Sequence, residues 1–282
     1  MDVKVIIRDY LSYLILSLLK LIGLVTRRDF VTLFVQYINK NIVISKTYND
    51  IVFDCNYIGA QGRGENFAKK EPDTLYWIDN YIEQNEVFYD IGANVGVYSL
   101  YVAKNKNCKV VAFEPEISNF YFFTKNIFLN NLNGLITPLN IGLYSEKKLS
   151  TIYQTGIDVG SSGNHLEHEV DDNLKSFSAD RSLNILAFDL DYLVKNFDLP
   201  FPNHIKIDVD GMEHMIMQGT NDILKNKNLK TIAVENNTSL KEHKLMLKEI
   251  EASGFKKLEN EFLRNTKYEL TGTVNTFFKR KE

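Results

Sequence analysis

Three carboxylates stand at the ends of short apolar runs. Asp90 closes EVFYD, Glu114 closes VVAFE, and Asp208 closes HIKID. Runs of four to eight apolar residues bounded by turn residues predict buried strands. The acids therefore sit at strand tips, where open α/β sheets bind their ligands. After Asp90 the chain reads Ile91-Gly92-Ala93-Asn94-Val95-Gly96. Such a turn between a strand and a helix lets a ligand approach the backbone closely.

The residue types say which ligand. A dinucleotide site wants G-x-G-x-x-G, and here only Gly92 and Gly96 are present. Asp90 also stands where a pyrophosphate would need positive surroundings. A carboxylate there repels phosphate and welcomes a cation. S-adenosylmethionine carries an ammonium and a sulfonium and no phosphate, so Asp90, Gly92, Ala93, Asn94 and Gly96 are its candidate contacts. Glu114 lies 18 residues past Gly96, near the offset of about 20 at which an acid reaches ribose hydroxyls. A carboxylate accepts both hydroxyl hydrogens, and Pro115 follows it. The third strand ends at Asn140-Ile141-Gly142. There the Asn140 amide or a backbone N–H meets the adenine edge, or the segment is a plain turn.

The second strand tip carries the candidate chemistry. Lys206 and Asp208 face the same side of their strand, because side chains repeat every two residues. First and fourth strands adjoin at the switch point of a doubly wound sheet. Asp90 and Asp208 are therefore expected to flank one cleft. Methyl transfer needs the acceptor oxygen held in line with the sulfur and a base for its proton. Asp208 is the first candidate base, although Lys206 lowers its pKa and weakens it. The alternatives are that Asp208 orients the hydroxyl, or holds Mg²⁺ with Asp210 or Glu235. Magnesium uses as few as one or two protein carboxylates; no metal ligand set is predicted. His165, His168 and His214 are rival bases. The first two fall in a polar stretch that equally suits solvated loop histidines. The candidate catalytic set is Asp208, Lys206 and His214. Glu213 suits the positive end of the following helix. Arg63, Asn66 and Glu71 either fold over the methionine end of the cofactor or belong to a surface loop. Tyr76, Trp77, Tyr81, Phe120, Phe122 and Phe123 read as core.

The positioning elements follow from pattern. The chain has 282 residues, 44% hydrophobic and 24% charged, which excludes disordered and low-complexity classes. With 33 basic and 36 acidic residues the net charge is −3, not that of an obvious nucleic-acid binder. Two cysteines, Cys55 and Cys108, make neither a disulfide scaffold nor a zinc site and fit a reducing compartment. From Glu86 onward strands alternate with helices, which means βαβ units and a parallel sheet. Gly59, Gly62 and Gly64 read as a glycine-rich loop. Residues 145–180 depart from the βα pattern, as an insert shaping a substrate site does. The end of the chain reads as a hairpin. The expected organisation is an N-terminal amphipathic helical segment over 1–40, a hairpin and helix over 41–85, and a cofactor-binding core over 86–282.

Residues 1–28 carry Lys4, Arg8, Lys20, Arg27 and Arg28 against Asp2 and Asp9, five minus two, or +3. Apolar residues dominate from Tyr10 to Val25, and Lys20 interrupts a run short of the roughly 20 residues a span needs. A basic amphipathic helix suits an anionic membrane surface. The alternatives are packing on the domain or on a second subunit, and a signal peptide. The expected location is cytoplasmic, with membrane-surface contact and homo-oligomerisation both left open, and no nucleic-acid partner.

In this order, DIGANVGVYSL, VVAFEP, NIFLNN, LNIGL, AFDLDYL, HIKIDVDGMEHMIMQG and AVEN resemble the FkbM family of S-adenosylmethionine-dependent methyltransferases. Asp210 and Met212 replace the family's usual glutamate and alanine. The resemblance spans about residues 50–280. It implies a class I methyltransferase fold: a Rossmann-like, seven-stranded, mostly parallel α/β sheet with an antiparallel last strand, to which the N-terminal helices and a small hairpin are added. It also implies a hydroxyl acceptor, commonly on a sugar, glycan or other small molecule. Two rivals are a nicotinamide-dependent oxidoreductase on a similar sheet and a non-catalytic membrane-associated binding module.

Overall fold

The computed structural model describes residues 3–26, 29–41, 45–48, 50–55, 58–154, 160, 164–166, 178–259, 263 and 272–281. The chain forms two compact units, Met1–Ser45 and Lys46–Glu282.

The first unit holds helices α1 (Val3–Thr26) and α2 (Phe30–Asn41). In α2, Asp29 precedes the first turn, and its carboxylate accepts from the Thr32 N–H at 3.0 Å, the N-cap arrangement. Helix α1 exposes Tyr10, Tyr13, Leu14, Ile15, Leu18, Leu21 and Leu24. No helix among the described residues is long and apolar enough to cross a membrane.

The second unit opens with strands β1 (Ser45–Tyr48) and β2 (Ile51–Asp54), paired as a two-stranded sheet. Helices α3 (Ile58–Lys70) and α4 (Pro72–Tyr81) follow. The glycine-rich loop expected at residues 59–64 is thus a helix, and two helices precede the core instead of one. Glycine costs a helix about 1 kcal/mol relative to alanine, but packing outweighs it. A Cβ on Gly64 would meet the Phe53 ring at 2.9 Å, so only glycine lets α3 lie this close to β2.

The core then alternates as the pattern requires. Its elements are β3 (Val87–Ile91), α5 (Val97–Lys106), β4 (Lys109–Phe113), α6 (Ile117–Leu129) and β5 (Ile136–Leu139). LNIGL splits: β6 (Gly142–Leu143) leaves the main sheet and joins β7 (Lys148–Gln154), β8 (Asn164–Leu166) and β9 (Arg181–Phe188). These four make a second sheet in the order β6-β9-β7-β8, so the described part of the insert departs from the βα pattern as expected, as strands at 148–154 and 164–166. After α7 (Leu190–Asn196) and β10 (His204–Ile207), the helical stretch after the turn breaks at Gly219-Thr220 into α8 (Glu213–Gln218) and α9 (Asn221–Lys225). Strand β11 (Thr231–Asn237), α10 (Lys241–Ala252), β12 (Phe255–Lys257) and β13 (Thr273–Arg280) complete the chain.

The main sheet runs β12-β13-β11-β10-β3-β4-β5. Its β3, β4, β5, β10 and β11 pair in parallel, while β13 lies antiparallel between β11 and β12. This is the sheet the family resemblance implied, with the antiparallel last strand in place. Apolar residues cover both faces. Trp77, Phe88, Phe123 and Phe277 are buried in one cluster. Tyr89, Ile205, Val234 and Phe278 are buried in the other. Parallel strands between two helical layers require this two-sided burial. Trp77, Phe122 and Phe123 are core, as read from sequence.

Candidate active site

Strand order decides the site. β3 and β10 are neighbours, with Lys206 level with Asp90 and Ile207 level with Ile91. The Asp208 N–H continues the ladder to the Ile91 carbonyl at 3.1 Å. Asp90, Lys206 and Asp208 therefore share one crevice at the strand ends, the switch point between β3 and β10.

The first wall is the glycine turn. Gly92 takes φ +81° and Gly96 φ +85°, both in the region that favours glycine. A Cβ on Gly92 would lie 1.9 Å from the Asp208 carbonyl oxygen, and one on Gly96 would lie 2.0 Å from the Phe123 ring. The two glycines let the turn touch the second strand tip and α6. Gly92 and Ala93 donate their N–H groups to the Phe113 carbonyl, each at 3.0 Å. Glu114 binds the turn from the next strand. Its Oε2 accepts from the Asn94 N–H at 2.7 Å and its Oε1 from the Glu116 N–H at 2.8 Å. Burial outweighs these donors and pushes the Glu114 carboxyl up to about 8. Pro115 continues the loop, and the Asn140 amide donates to the carbonyls of Glu114 at 2.8 Å and Pro115 at 3.1 Å. Asn140 thus pins this loop to the end of β5.

Asp90 is buried at the base of the crevice. Ser99 Oγ donates to its Oδ2 at 2.6 Å, while Oδ1 is buried with no hydrogen-bond partner among the described residues. Burial raises its pKa, with Lys206 opposing.

The second wall belongs to β10 and β11. Lys206 Nζ donates to Asp208 Oδ2 at 2.7 Å and lies 4.8 Å from the centre of the Tyr98 ring. The Lys206 side chain is 3% exposed and that of Asp208 22%, so Asp208 is the member that reaches the crevice. Burial acts against both charges. Even so, Asp208, Glu71 and Asp90 hold Lys206 above its usual pKa. Lys206, and beyond it Lys70 and Arg63, hold Asp208 below the usual carboxylate range.

The turn after Asp208 is anchored from three sides. Asp210 takes φ +57° and Gly211 φ +101°. Glu213 Oε1 accepts from the N–H groups of Val209 at 3.0 Å and Gly211 at 3.3 Å. His243 bridges the turn to β11. It accepts from the Asn237 N–H at 2.9 Å on Nδ1, so its ring hydrogen is on Nε2, which donates to the Gly211 carbonyl at 3.0 Å. Met212 is buried with Tyr144, Ile152, Leu166 and Ala187 of the second sheet. That gives a physical reason for methionine where the resemblance has alanine: it fills the core under the insert.

Several other sequence candidates also have definite places. His214 packs against the His243 ring, centroids 5.4 Å apart, with its Nδ1 buried and unpartnered among the described residues. Burial and then His243 lower its pKa. No hydrogen bond joins it to Asp208 or Lys206 among the described residues. Arg63 donates from Nε to the Gly160 carbonyl at 2.7 Å, and the Gly160 N–H donates to Asn119 Oδ1 at 2.7 Å. Arg63 therefore ties the insert to α3, and Asn119 ties it to α6. Glu71 is buried at the start of α4. Asn66 turns back to the Gly62 carbonyl of its own helix. His168 and the side chain of His165 lie outside the described residues. His243 was missed from sequence, because nothing in HKLM marks a ring that spans from α10 to a turn 32 residues earlier.

The chain is similar to several known methyltransferases. A hexuronic acid methyltransferase, AglP, of Haloferax volcanii is 26% identical over 183 residues, 65% of this chain and 70% of that one. A tRNA (guanine(37)-N(1))-methyltransferase of Plasmodium vivax is 28% identical over 119 residues. That match takes in 38% of this chain and 16% of the longer relative. Among solved structures, a precorrin-6y C5,15-methyltransferase of Geobacter metallireducens aligns with a TM-score of 0.42 at 13% identity, covering 75% of this chain and 88% of that one. The methyltransferase FkbM domain matches residues 90–257, from the acid that opens the glycine turn to the end of β12. Both walls of the crevice lie within that span, and the chain belongs to the FkbM family of methyltransferases.

Proposed function

We propose that this chain transfers a methyl group from S-adenosylmethionine to a hydroxyl oxygen of a sugar or glycan. The observation that carries the reading is the Lys206–Asp208 pair at the switch point, in backbone contact with the glycine turn. The residues present suit the cofactor. Asp90 offers a buried carboxylate oxygen with no hydrogen-bond partner among the described residues, beside the turn, which a cationic group would satisfy. Each Glu114 oxygen takes one backbone N–H and keeps a lone pair for a ribose hydroxyl. The glycan class is supported by the Haloferax volcanii relative, whose name is that of a hexuronic acid methyltransferase.

S-adenosylmethionine supplies an electrophilic methyl group on a sulfonium. The chain's part is to hold the acceptor oxygen in line and to receive its proton. Asp208, kept ionised by Lys206, accepts the hydroxyl hydrogen bond and orients the oxygen. As the carbon–oxygen bond forms and the carbon–sulfur bond breaks, positive charge builds on that oxygen. Its proton then becomes acidic enough for even a weak carboxylate base to accept. The matching need not be fine, because positioning supplies the larger share of the rate.

The test is transfer of isotopically labelled methyl from S-adenosylmethionine to a panel of uronic acids, neutral hexoses, amino sugars and a guanine-containing RNA. Label on a sugar oxygen is expected. Label on RNA or on amines alone would overturn the hydroxyl reading, and saturable NADH binding in its place would overturn the cofactor. The exposed apolar side chains of α1, together with the +3 charge of residues 1–28, support docking on the cytoplasmic surface of an anionic membrane. Equal co-sedimentation with anionic liposomes before and after deleting residues 1–28 would remove that part.

A further inference from the structure

We propose that Asp208, Asp210 and Glu235 hold a divalent cation of the Mg²⁺ or Mn²⁺ class on the second wall, beside the place of the acceptor; its proposed role rests on the methyl-transfer reading above. Three segments meet here: the end of β10, the turn after it, and β11. One carboxylate oxygen from each lies within 4.8 Å of the other two. Oxygens on opposite sides of a bound ion stand about 4.2 Å apart for Mg²⁺ and about 4.6–5.2 Å apart for Ca²⁺, twice the metal–oxygen bond. Only one of the three pairs can stand across the ion, and the other pairs close to about 3.0 Å for Mg²⁺, so the three side chains are near enough to converge on one ion by drawing inward. All the donors are oxygens, which select hard cations over zinc or copper.

A second observation, outside the trio, points the same way. Glu213 is 1% exposed. Its Oε1 takes two backbone N–H groups, but its Oε2 is buried with no hydrogen-bond partner among the described residues. The nearby His243 Nε2, 3.6 Å away, has its hydrogen committed to the Gly211 carbonyl. Glu213 and Glu235 line one recess with Gly211 and His243. A desolvated carboxylate oxygen without a donor is costly, and here further carboxylates surround it. Lys206 is already engaged by Asp208, and Lys70 and Arg63 act on Asp208 more weakly than it does.

The ion would also complement a weak base. Magnesium keeps several positions for water or substrate oxygens. A hydroxyl bound at one of them would lose its proton more readily, which would add to what Asp208 does as acceptor.

The test uses the full chain, with Mn²⁺ as the probe followed by electron paramagnetic resonance. In parallel, S-adenosylmethionine binding is followed by calorimetry. One saturable Mn²⁺ site is expected. Asp210→Asn and Glu235→Gln should each weaken it at least about tenfold, the order that even an outer-shell partner commands, while S-adenosylmethionine affinity stays within about threefold. Asparagine tolerates the positive φ at position 210, and glutamine keeps the shape of residue 235, so both variants should fold. No saturable Mn²⁺ site, or a site unchanged in both variants, overturns the proposal. Mn²⁺ binding without S-adenosylmethionine binding would leave the cation site standing and overturn the methyl-transfer reading.

Discussion

Glu114 and Glu213 do matching work on opposite walls of one crevice. Each is a buried glutamate just beyond a strand tip, each accepts two backbone N–H groups, and burial pushes each up to about 8. The difference lies in the oxygens. Glu114 gives one oxygen to Asn94 and the other to Glu116. Glu213 gives one oxygen to both of its donors and leaves the second without a hydrogen-bond partner among the described residues. Glu114 therefore spends one acceptor position of each oxygen on its own loop and keeps another on each. The second wall keeps a buried carboxylate oxygen without a hydrogen-bond donor among the described residues, where Asp208, Asp210 and Glu235 also gather. A wall of the first kind suits a neutral ribose edge. A wall of the second kind suits a cation.

The strongest way to break this comparison is to force the walls apart. Gly92→Ala places a Cβ 1.9 Å from the Asp208 carbonyl at φ +81°. It should lower S-adenosylmethionine affinity by at least about 100-fold and stability by about 1–3 kcal/mol. Calorimetry and thermal denaturation read the two effects. A change of affinity under threefold would mean that the walls do not act together.

Glu114→Ala should weaken cofactor affinity about 10–100-fold with the far-UV circular dichroism unchanged, since a hydrogen bond to a charged group contributes about 1.5–3 kcal/mol. The same carboxylate sets a pH dependence. Only its ionised form accepts from both ribose hydroxyls. Affinity should therefore be full above about 8, the value to which burial raises this group, and weaken as pH falls below it. A flat profile from pH 6 to 9 would remove Glu114 from the ribose.

Lys206→Met sharpens the contrast from the other side. Without the ammonium the Asp208 carboxyl rises, by about 1 unit or more. The acidic limb of kcat/KM should shift upward with it, and kcat should fall about tenfold because Asp208 loses the ammonium that positions it. An unmoved limb would show that another group titrates. The smallest effect is expected at His214. Its ring packs on His243 and is not bonded to Asp208, so His214→Asn should change kcat by less than about threefold. A loss of about 100-fold, the least that a general base contributes, would restore it as the base.

Much of the first wall was legible in the chain. Asp90, Gly92, Gly96 and Glu114 are close in sequence, and the strand–turn–helix pattern alone puts them at neighbouring tips. The pairing of Lys206 with Asp208 was legible too, because it follows from the period of a strand. One local reading failed where tertiary packing overrode propensity. Gly59, Gly62 and Gly64 lie in a helix that Phe53 receives at close range at Gly64. Asn140 was read as an adenine contact or a plain turn, and its amide holds the Glu114 loop. Nothing local in the sequence ties an amide at the end of one strand to carbonyls beyond the end of another.

What the sequence determined by itself is the alternation of strand and helix, the acids at the tips and the phosphate-averse turn, since each depends on residues within one or two elements of each other. The tertiary structure alone decided which acids share a site. Asp210 and Glu235 meet because β10 and β11 lie side by side. His243 reaches Gly211 because α10 packs beneath the turn. Met212 is buried because the insert folds over it. Such contacts join residues tens of positions apart through sheet order and helix packing. No local spacing encodes them, because burial and strand pairing are settled only when the whole core closes.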